Sequence, residues 1–210
     1  MRQHVNPLSK YFEYLEPLPE LKEIFRDPSL PLHLDIGCGS GKFLMELAIR
    51  NKNWNYLGIE IREKLVLNAK LRLKNEDINN LYFAYGNAEY LIKDWVLKIS
   101  KNSLNSISFN FPDPWFKKKH HKRRIIKQEL ILNLSQIMPI GSLLIIKSDV
   151  EELFNSMDSI ISKVIFYKKV QEKNSEIYQP FNPQRIKTER EIYALRNRLK
   201  VYERSYRKLI

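Results

Sequence analysis

Residues 32–41 read LHLDIGCGSG, a short apolar run that ends in an acidic residue and three alternating glycines. The run Leu32–Ile36 has the length and composition of a buried strand. Glycines let the backbone adopt positive φ angles and approach a ligand closely. The third glycine comes one position earlier than in the dinucleotide fingerprint G-x-G-x-x-G, because position 42 is Lys42. The stretch therefore predicts a strand and a ligand-binding loop, and it disfavours a nicotinamide-dependent enzyme.

The same alternation of a short apolar run and an amphipathic stretch repeats along the rest of the chain. Repeated strand–helix units predict right-handed crossovers and a doubly wound, mostly parallel α/β sheet. The predicted strands are Leu32–Ile36, Tyr56–Glu60, Leu81–Tyr85, Ser106–Phe111 and Gly141–Lys147. The predicted helices are Ser40–Arg50, Arg62–Asn75, Glu89–Ile99, Ile125–Ile137 and Glu151–Ser162. The tail is expected to add Val164–Val170, a helix after Thr188 and an edge strand from Val201, in an order that the sequence leaves open.

Length and composition limit the class of protein. The chain has 210 residues, enough for one well-buried domain, and we divide it into a loop-rich N-terminal extension, residues 1–31, and a single domain, residues 32–210. Its net charge of +12 favours a polyanionic partner, with nucleic acid first and an anionic membrane surface second. The single cysteine, Cys38, excludes an internal disulfide. Met1–His4 does not lead into an apolar signal segment, and we expect a cytoplasmic protein without a membrane span.

Polar residues follow the predicted strands where a doubly wound sheet binds its ligands, at the carboxyl ends of the strands. Asp35 ends the first strand, Glu60 ends the second, and Asn87 follows the third. A carboxylate at the tip of the second strand is placed to accept hydrogen bonds from ribose hydroxyls, and Asn87 is placed to reach an adenine edge. Structural alternatives stay open for each: a tight turn for the glycine loop, a helix cap for Glu60 and an Asx turn for Asn87.

The loop after the fourth strand reads NFPDPWF at residues 110–116 and continues as KKKHHKRR at residues 117–124, which we call the basic octet. The two prolines that flank Asp113 limit its backbone freedom and preorganise its carboxylate. The basic octet contains six permanent cations, an electrostatic footprint for phosphates. Arg123 and Arg124 are expected where a helix begins, and cations there oppose the helix dipole. Binding therefore explains them better than stability does.

This D-P-W core followed by basic residues ending in K-R-R resembles the signature of bacterial tRNA (guanine-N7-)-methyltransferases, which are class I S-adenosylmethionine-dependent enzymes. Further motifs occur in the family's order: Gly58-Ile59-Glu60, Asn87-Ala88-Glu89, Lys147-Ser148-Asp149 and Thr188-Glu189-Arg190-Glu191. The resemblance covers nearly everything from Asp35 onward. The sequence departs from the family pattern mildly, with Asp35 where many relatives carry Glu, Asn87 where some carry Asp, and Ser148 in place of a more usual Thr.

The resemblance implies a Rossmann-like sheet of about seven strands with the last one antiparallel, and methyl transfer from S-adenosylmethionine to N7 of a guanine in the variable loop of tRNA. It implies that the cofactor contacts are Asp35, Gly37, Gly39, Gly41, Glu60, Asn87, Ala88 and Asp113, with Asp113 also catalytic. The implied substrate contacts are Lys117, Asp149, Thr188, Glu189, Arg190 and Glu191. The implied RNA contacts are Lys119, His120, His121, Lys122, Arg123 and Arg124.

Some alternatives stay open. Thr188 and Glu191 also match a helix capping box. His120 and His121 lack further ligands at metal spacing, so no metal is expected. One rival function is methylation of an exocyclic amine in a nucleic acid, although such enzymes carry a second proline where this chain has Trp115. Another is a catalytically silent RNA-binding relative. The sequence leaves monomer and homodimer equally open.

Overall fold

The protein is described by a computed structural model that covers residues 5–74, 76–100, 102–170 and 180–210. Met1–His4 and Asn75, the last residue of a predicted helix, lie outside these ranges. The strands are β1 Leu32–Ile36, β2 Asn55–Glu60, β3 Leu81–Tyr85, β4 Leu104–Asn110, β5 Leu143–Ser148, β6 Tyr167–Lys169 and β7 Tyr202–Lys208. The α-helices are α1 Leu21–Ile24, α2 Lys42–Arg50, α3 Glu63–Lys74, α4 Ala88–Trp95, α5 Gln128–Ile137, α6 Glu151–Ser162 and α7 Glu189–Arg196, and 3₁₀ helices span Lys10–Tyr14 and Lys118–Arg123.

The described strands form one seven-stranded sheet in the order β3-β2-β1-β4-β5-β7-β6. The pairings from β3 to β5 are parallel, whereas β7 runs antiparallel to both of its neighbours. The predicted doubly wound, mostly parallel α/β sheet with an antiparallel last strand is therefore confirmed. The prediction that the strand after Val201 lies at the edge is wrong. Tyr206 in β7 is fully buried, while the three-residue β6 ends in exposed lysines that suit an edge.

Side chains of the strands alternate between two apolar layers. One layer packs β-strand residues such as Leu34 and Ile107 against α4, α5 and α6. The other packs Tyr56, Phe83 and Ile145 against α2 and α3. Because both faces of the sheet are covered, the central strands are apolar on both sides, as expected for a parallel sheet. The exceptions on β1, His33 and Asp35, are polar side chains that are nevertheless buried. No helix within the described ranges is long and apolar enough to cross a membrane.

The N-terminal extension is packed against the domain more closely than its prolines suggest. Leu18 and Phe25 belong to the layer that contains α4 to α6, and the indole Nε1 of Trp95 donates a hydrogen bond to the carbonyl of Pro19 at 3.2 Å. Burying an aromatic and an aliphatic side chain in this way removes a large apolar area from water. Of the predicted extension, residues 5–31 are described, and Leu18 and Phe25 anchor this segment in the core of the domain.

Two helix boundaries differ from the prediction in ways that affect the site. The helix predicted from Ile125 begins at Gln128, and most of the basic octet forms a separate 3₁₀ helix. Arg123 and Arg124 therefore do not oppose the dipole of α5, and that argument for RNA binding does not apply. The helix predicted from Ser40 begins at Lys42, after Gly41 in the left-handed conformation (φ 76°). The glycine loop is consequently two residues longer than expected.

Candidate active site

Two open cavities lie side by side at the carboxyl ends of β1, β2 and β4. The first, of about 720 Å³, is bounded by Glu60, Asn87 and Trp115 and by the N-terminal segment at Val5 and Pro7. The second, of about 820 Å³, is bounded by the glycine loop and by α7. The residues common to both walls are Gly37, Arg62, Phe111 and Asp113. The predicted catalytic residue, Asp113, therefore lies between the two cavities.

The glycine loop is shaped by its backbone. Gly37, Gly39 and Gly41 all have positive φ angles, of 83°, 59° and 76°. A Cβ at Gly41 would also lie 2.6 Å from the ring of Phe83, so a side chain there would clash as well as strain the backbone. The Gly37 N–H donates to the carbonyl of Ile59 at 2.8 Å, and the Gly39 N–H donates to Oε2 of Glu60 at 2.9 Å. The loop is thus tied directly to the end of β2.

The Glu60 carboxylate is buried and fully hydrogen-bonded. Oε2 accepts from Gly39 N and, at 3.1 Å, from Nη2 of Arg62, and Oε1 accepts from the backbone N and the Nε of Arg62 at 3.0 and 2.9 Å. A carboxylate has about four acceptor directions, so all of them are occupied. Hydroxyl groups of a ligand can bind Glu60 only by taking the place of Arg62. Arg62 faces both cavities and was not identified from the sequence.

The Asp35 carboxylate is buried at the end of β1. Its Oδ1 accepts hydrogen bonds from Oγ of Ser108 at 2.6 Å and from Nδ2 of Asn110 at 2.9 Å. Burial raises the pKa of Asp35 to about 6, and the nearby Glu60 carboxylate acts in the same direction, whereas the two hydrogen bonds and the Lys147 ammonium lower it. A cationic ligand in the second cavity would favour the ionised form.

The side chain of Asn87 is engaged within the protein. Its Oδ1 accepts from the backbone N–H of Glu89 at 3.0 Å and caps α4, and its Nδ2 donates to the carbonyl of Pro7 at 2.8 Å. The Asx-turn alternative therefore describes this side chain, and the predicted reach of its amide to an adenine edge has no support in the geometry. Asn87 and Ala88 still form part of the first cavity's wall.

The loop that carries Asp113 has a strained backbone. Phe111 and Trp115 adopt positive φ angles of 52° and 47°, which non-glycine residues rarely do and which concentrate at functional sites. The Asp113 carboxylate is close enough to Arg62 to raise the pKa of its guanidinium, although the hydrogen bond to Glu60 contributes more. The indole of Trp115 lies 5.0 Å from the guanidinium carbon of Arg123. Trp115 therefore connects the loop that carries Asp113 to the basic octet.

The basic octet divides into exposed and buried members. Lys117, Lys118, Lys119 and Lys122 are exposed, and His120, His121 and Arg123 are half-buried. Arg124 is buried, and its guanidinium donates to Pro114 O at 3.0 Å and to both carboxylate oxygens of Glu152 at 2.9 and 2.7 Å. The sequence predicts an RNA contact here, whereas in the structure Nε, Nη1 and Nη2 of Arg124 all have partners within the protein. Arg124 anchors the loop that carries Asp113.

The N-terminus of α7 closes over the second cavity. Thr188 caps the helix by accepting a hydrogen bond from the Glu191 N–H at 3.1 Å. The Glu191 carboxylate pairs with Lys147 at 3.1 Å rather than with the cap, so only half of the predicted capping box forms. Glu189 pairs with Lys42 at 2.8 Å and also contacts Ser40. Arg190 pairs with Asp149.

The predicted substrate contacts thus fall into two groups. Thr188, Glu189 and Arg190 form part of the wall of the second cavity, which α7 shares with the glycine loop. Asp149 is joined to this group by its ion pair with Arg190, and Glu191 by the hydrogen bond from its N–H to Thr188. Lys117 lies outside, exposed at the start of the basic octet. Among the residues that the structure describes, no group of three or more His, Cys, Asp or Glu side chains is arranged to hold a metal ion.

Comparison with families of known sequence gives a consistent match. Residues 29–204 match the model of a family described as "Putative methyltransferase". The chain is 55% identical over 209 residues to the tRNA (guanine-N(7)-)-methyltransferase of Prochlorococcus marinus subsp. pastoris, covering 100% of both chains. It is 37% identical over 203 residues to the enzyme of the same name from Synechococcus elongatus, covering 96% of this chain and 93% of the other.

Solved structures resemble the fold at low sequence identity. An rRNA methylase from Streptococcus thermophilus superimposes with a TM-score of 0.52 at 15% identity, covering 90% of this chain and 92% of the other. The phosphoethanolamine N-methyltransferase 2 of Haemonchus contortus, in complex with S-adenosyl-L-methionine, does so with a TM-score of 0.54 at 13% identity, covering 90% of this chain and 51% of the other. At these identities the likeness concerns the fold alone.

Proposed function

The chain belongs to the family of bacterial tRNA (guanine-N7-)-methyltransferases, and we propose that it transfers the methyl group of S-adenosylmethionine to N7 of a guanine in the variable loop of tRNA. The observation that carries the proposal is the position of Asp113. Its strained loop lies on the wall between two cavities and continues directly into exposed cations. A nucleobase presented by a bound RNA would meet this carboxylate at the entrance to the cofactor site.

The cavity walls fit the cofactor that the family uses, which supplies a methyl group bound to a sulfonium. Ala88 and the backbone around Asn87 would contact the adenine in the first cavity. Glu60 would accept the ribose hydroxyls in exchange for the Arg62 guanidinium. Asp35, Gly37 and Gly39 would face the cationic amino-acid portion, in the loop that ends at Gly41. Gly37 and Asp113 border both cavities, whereas Gly41 borders neither.

The chain's own residues contribute mainly by positioning. Guanine N7 carries an in-plane lone pair, so no general base is needed to expose it. Asp113 would hold the base through its N–H edge and stabilise the positive charge that develops on the purine. Thr188, Glu189, Arg190, Asp149 and Lys117 would hold the nucleotide around it.

The exposed side of the site would bind the tRNA backbone. We assign the phosphate contacts to Lys119, His120, His121, Lys122 and Arg123, and we assign an anchoring role to Arg124 because its guanidinium is paired with Glu152. The target base must be accessible, which favours a loop over an A-form helix. A tRNA partner also makes the cytoplasm the expected location of the enzyme.

The decisive experiment is incubation of the full chain with labelled S-adenosylmethionine and unmodified tRNA, followed by nucleoside mass spectrometry and chemical cleavage at the modified base. The expected product is 7-methylguanosine at one position in the variable loop. A tRNA in which that guanine is replaced should accept no label. Methylation of an exocyclic amine would overturn the proposal in favour of the first rival. Absence of cofactor binding would identify a silent RNA-binding relative.

A further inference from the structure

A row of polar side chains crosses one face of the central sheet beneath the second cavity. His33 and Asp35 lie on β1, and they pair in register with Ser106 and Ser108 on β4. Asn110 continues the row on β4. All but Asn110 are buried, and His33 has no exposed surface (0%). Buried polar groups are costly unless each is hydrogen-bonded, so their partners reveal what the row does.

The row is linked by short hydrogen bonds from end to end. Nδ1 of His33 lies 2.7 Å from Oγ of Ser106, and Nε2 lies 3.1 Å from Oγ of Ser108. Oγ of Ser108 lies 2.6 Å from Oδ1 of Asp35. A continuous chain therefore runs from Ser106 through His33 and Ser108 to the carboxylate that faces the second cavity.

The proton positions in this chain follow from its last acceptor. An ionised Asp35 carries no proton and can only accept, so the Ser108 hydroxyl must donate the hydrogen bond between them. Ser108 then accepts from His33, which must carry its proton on Nε2. Nδ1 is left as an acceptor for the Ser106 hydroxyl. Burial lowers the pKa of His33 to about 3, so the ring is neutral and can occupy this tautomer.

The imidazole is held in place by aromatic neighbours. The ring of Phe181 stacks on it with a centroid distance of 4.2 Å and an interplanar angle of 4°. The ring of Tyr56 meets it edge-on at 6.0 Å. An apolar side chain would fill this space without leaving two ring nitrogens to be satisfied. The histidine therefore does more than fill the space between the two aromatic rings, because its nitrogens also bind the two hydroxyls on β4.

We propose that His33 is a positioning residue for the cofactor, which acts through Ser108 to hold the Asp35 carboxylate as an ionised acceptor directed at the second cavity. The inference rests on the proposed function, because it takes Asp35 as the partner of the cofactor's cationic amino-acid portion. His33 itself lies outside the lining of both cavities. Its contribution is a hydrogen bond to Oγ of Ser108, which orients and polarises the hydroxyl that donates to Asp35.

The charges around Asp35 determine how this should appear in a pH profile. Burial and the Glu60 carboxylate raise the pKa of Asp35 to about 6, and the Ser108 and Asn110 hydrogen bonds and Lys147 lower it. The neighbouring Cys38 thiol is neutral, because burial raises its pKa further above the usual range. The next charges outward are Arg62, Glu191 and Glu203. Loss of the donor chain should therefore raise the pKa of Asp35 further.

The test is a calorimetric titration of full-length variants with S-adenosylmethionine between about pH 5 and pH 8. Wild-type affinity should fall as the pH drops through the pKa of the unliganded Asp35. His33→Phe keeps an aromatic ring but removes both nitrogens, and it should shift the midpoint upward by about half a pH unit, which raises the Kd about threefold near pH 5 and changes it little near pH 8. Ser108→Ala should have a larger effect. The double variant should bind no more weakly than Ser108→Ala alone, because His33 acts through that hydroxyl.

Further variants separate this role from a purely structural one. His33→Gln retains an N–H donor and should recover part of the lost affinity, and Ser106→Ala should produce a smaller change in the same direction. Thermal unfolding of each variant shows whether it is folded at the titration temperature. If His33→Phe is unfolded there, His33→Gln and Ser106→Ala provide the test instead. An unchanged pH profile in His33→Phe, or additive losses in the double variant, would refute the inference. A wild type that binds no S-adenosylmethionine would instead refute the proposed function.

Discussion

The acidic strand-end site and the basic octet differ in how their charged groups are held. At the strand ends the carboxylates of Asp35 and Glu60 are buried, and each already accepts hydrogen bonds from the protein. In the basic octet the lysines are exposed, and the buried cation is Arg124. The first region is preorganised by its neighbours, whereas the second presents exposed point charges to solvent.

This difference explains what each region can do. Buried polar groups must be paired, so a ligand binds there by exchanging with existing partners, and geometry determines its affinity. Exposed cations need no partners within the protein. The affinity they give for phosphates depends on how many of them make contacts, and salt weakens it. Arg124 is buried and paired like the carboxylates, whereas the adjacent Arg123 is half-buried and lies against the ring of Trp115.

Substitution of Asp113 should have the largest effect on turnover. Asp113→Ala removes the fixed carboxylate between the two cavities, so the methylation rate should fall about a hundredfold or more, while tRNA affinity changes little. Steady-state methylation assays and a tRNA binding titration measure the two quantities. Asp77→Ala, at an exposed site, is the matched control and should behave as wild type. If Asp113→Ala methylates tRNA at the wild-type rate, Asp113 is not the catalytic residue.

Arg124 and Arg123 should respond to alanine substitution in opposite ways. Arg124→Ala leaves Pro114 O and the Glu152 carboxylate without their donor, and it should lower the free energy of unfolding by about 2 kcal/mol and the Tm by about 4–8 °C. Arg123→Ala should leave the Tm nearly unchanged and weaken tRNA binding instead. Calorimetric melts and binding titrations distinguish the two. Equal melting temperatures for both variants would contradict the anchoring role.

Salt concentration should affect the affinities of the two regions for their ligands differently in the wild-type protein. The affinity for tRNA should fall linearly on a log–log plot against salt concentration, and Lys119→Ala or Lys122→Ala should each reduce the slope by about 0.7–0.9. The affinity for S-adenosylmethionine, a small ligand held by buried groups, should change far less. Lys52→Ala, an exposed cation that precedes the amino end of β2, is the control and should leave the slope unchanged. A slope that Lys119 and Lys122 do not affect would exclude the basic octet from phosphate binding.

The smallest effect is expected at the cap of α7. Thr188→Ala removes the acceptor of the Glu191 N–H and should cost about 1 kcal/mol in the free energy of unfolding, measured by urea denaturation. Thr188→Ser keeps the hydroxyl and should remain close to wild type. Identical denaturation curves for the two variants would show that the cap contributes nothing measurable.

Local patterns were sufficient for most of the fold. The apolar runs predicted β1 to β5 to within a few residues, because a buried parallel strand requires a short run of apolar side chains wherever it lies in the sheet. The positions of Asp35, Glu60 and Asp113 also followed, since parallel strands bring their carboxyl ends to one edge. The two 3₁₀ helices and the packing of residues 5–31 could not be predicted from local patterns. These segments are rich in prolines or charges and contain few buried side chains.

The amino-acid sequence by itself thus determined the layered α/β architecture, the edge of the sheet that carries the site and the family of the reaction, all of which depend on neighbours along the chain. Only the tertiary structure decided that β7 lies beside β5, that Arg124 pairs with Glu152, that Arg62 pairs with Glu60 and that His33 is linked through Ser108 to Asp35. The His33 contacts join residues 73 and 75 positions apart, and they exist only because β1 and β4 pair in one register. Such partners depend on how distant segments are aligned, and no local pattern encodes that alignment.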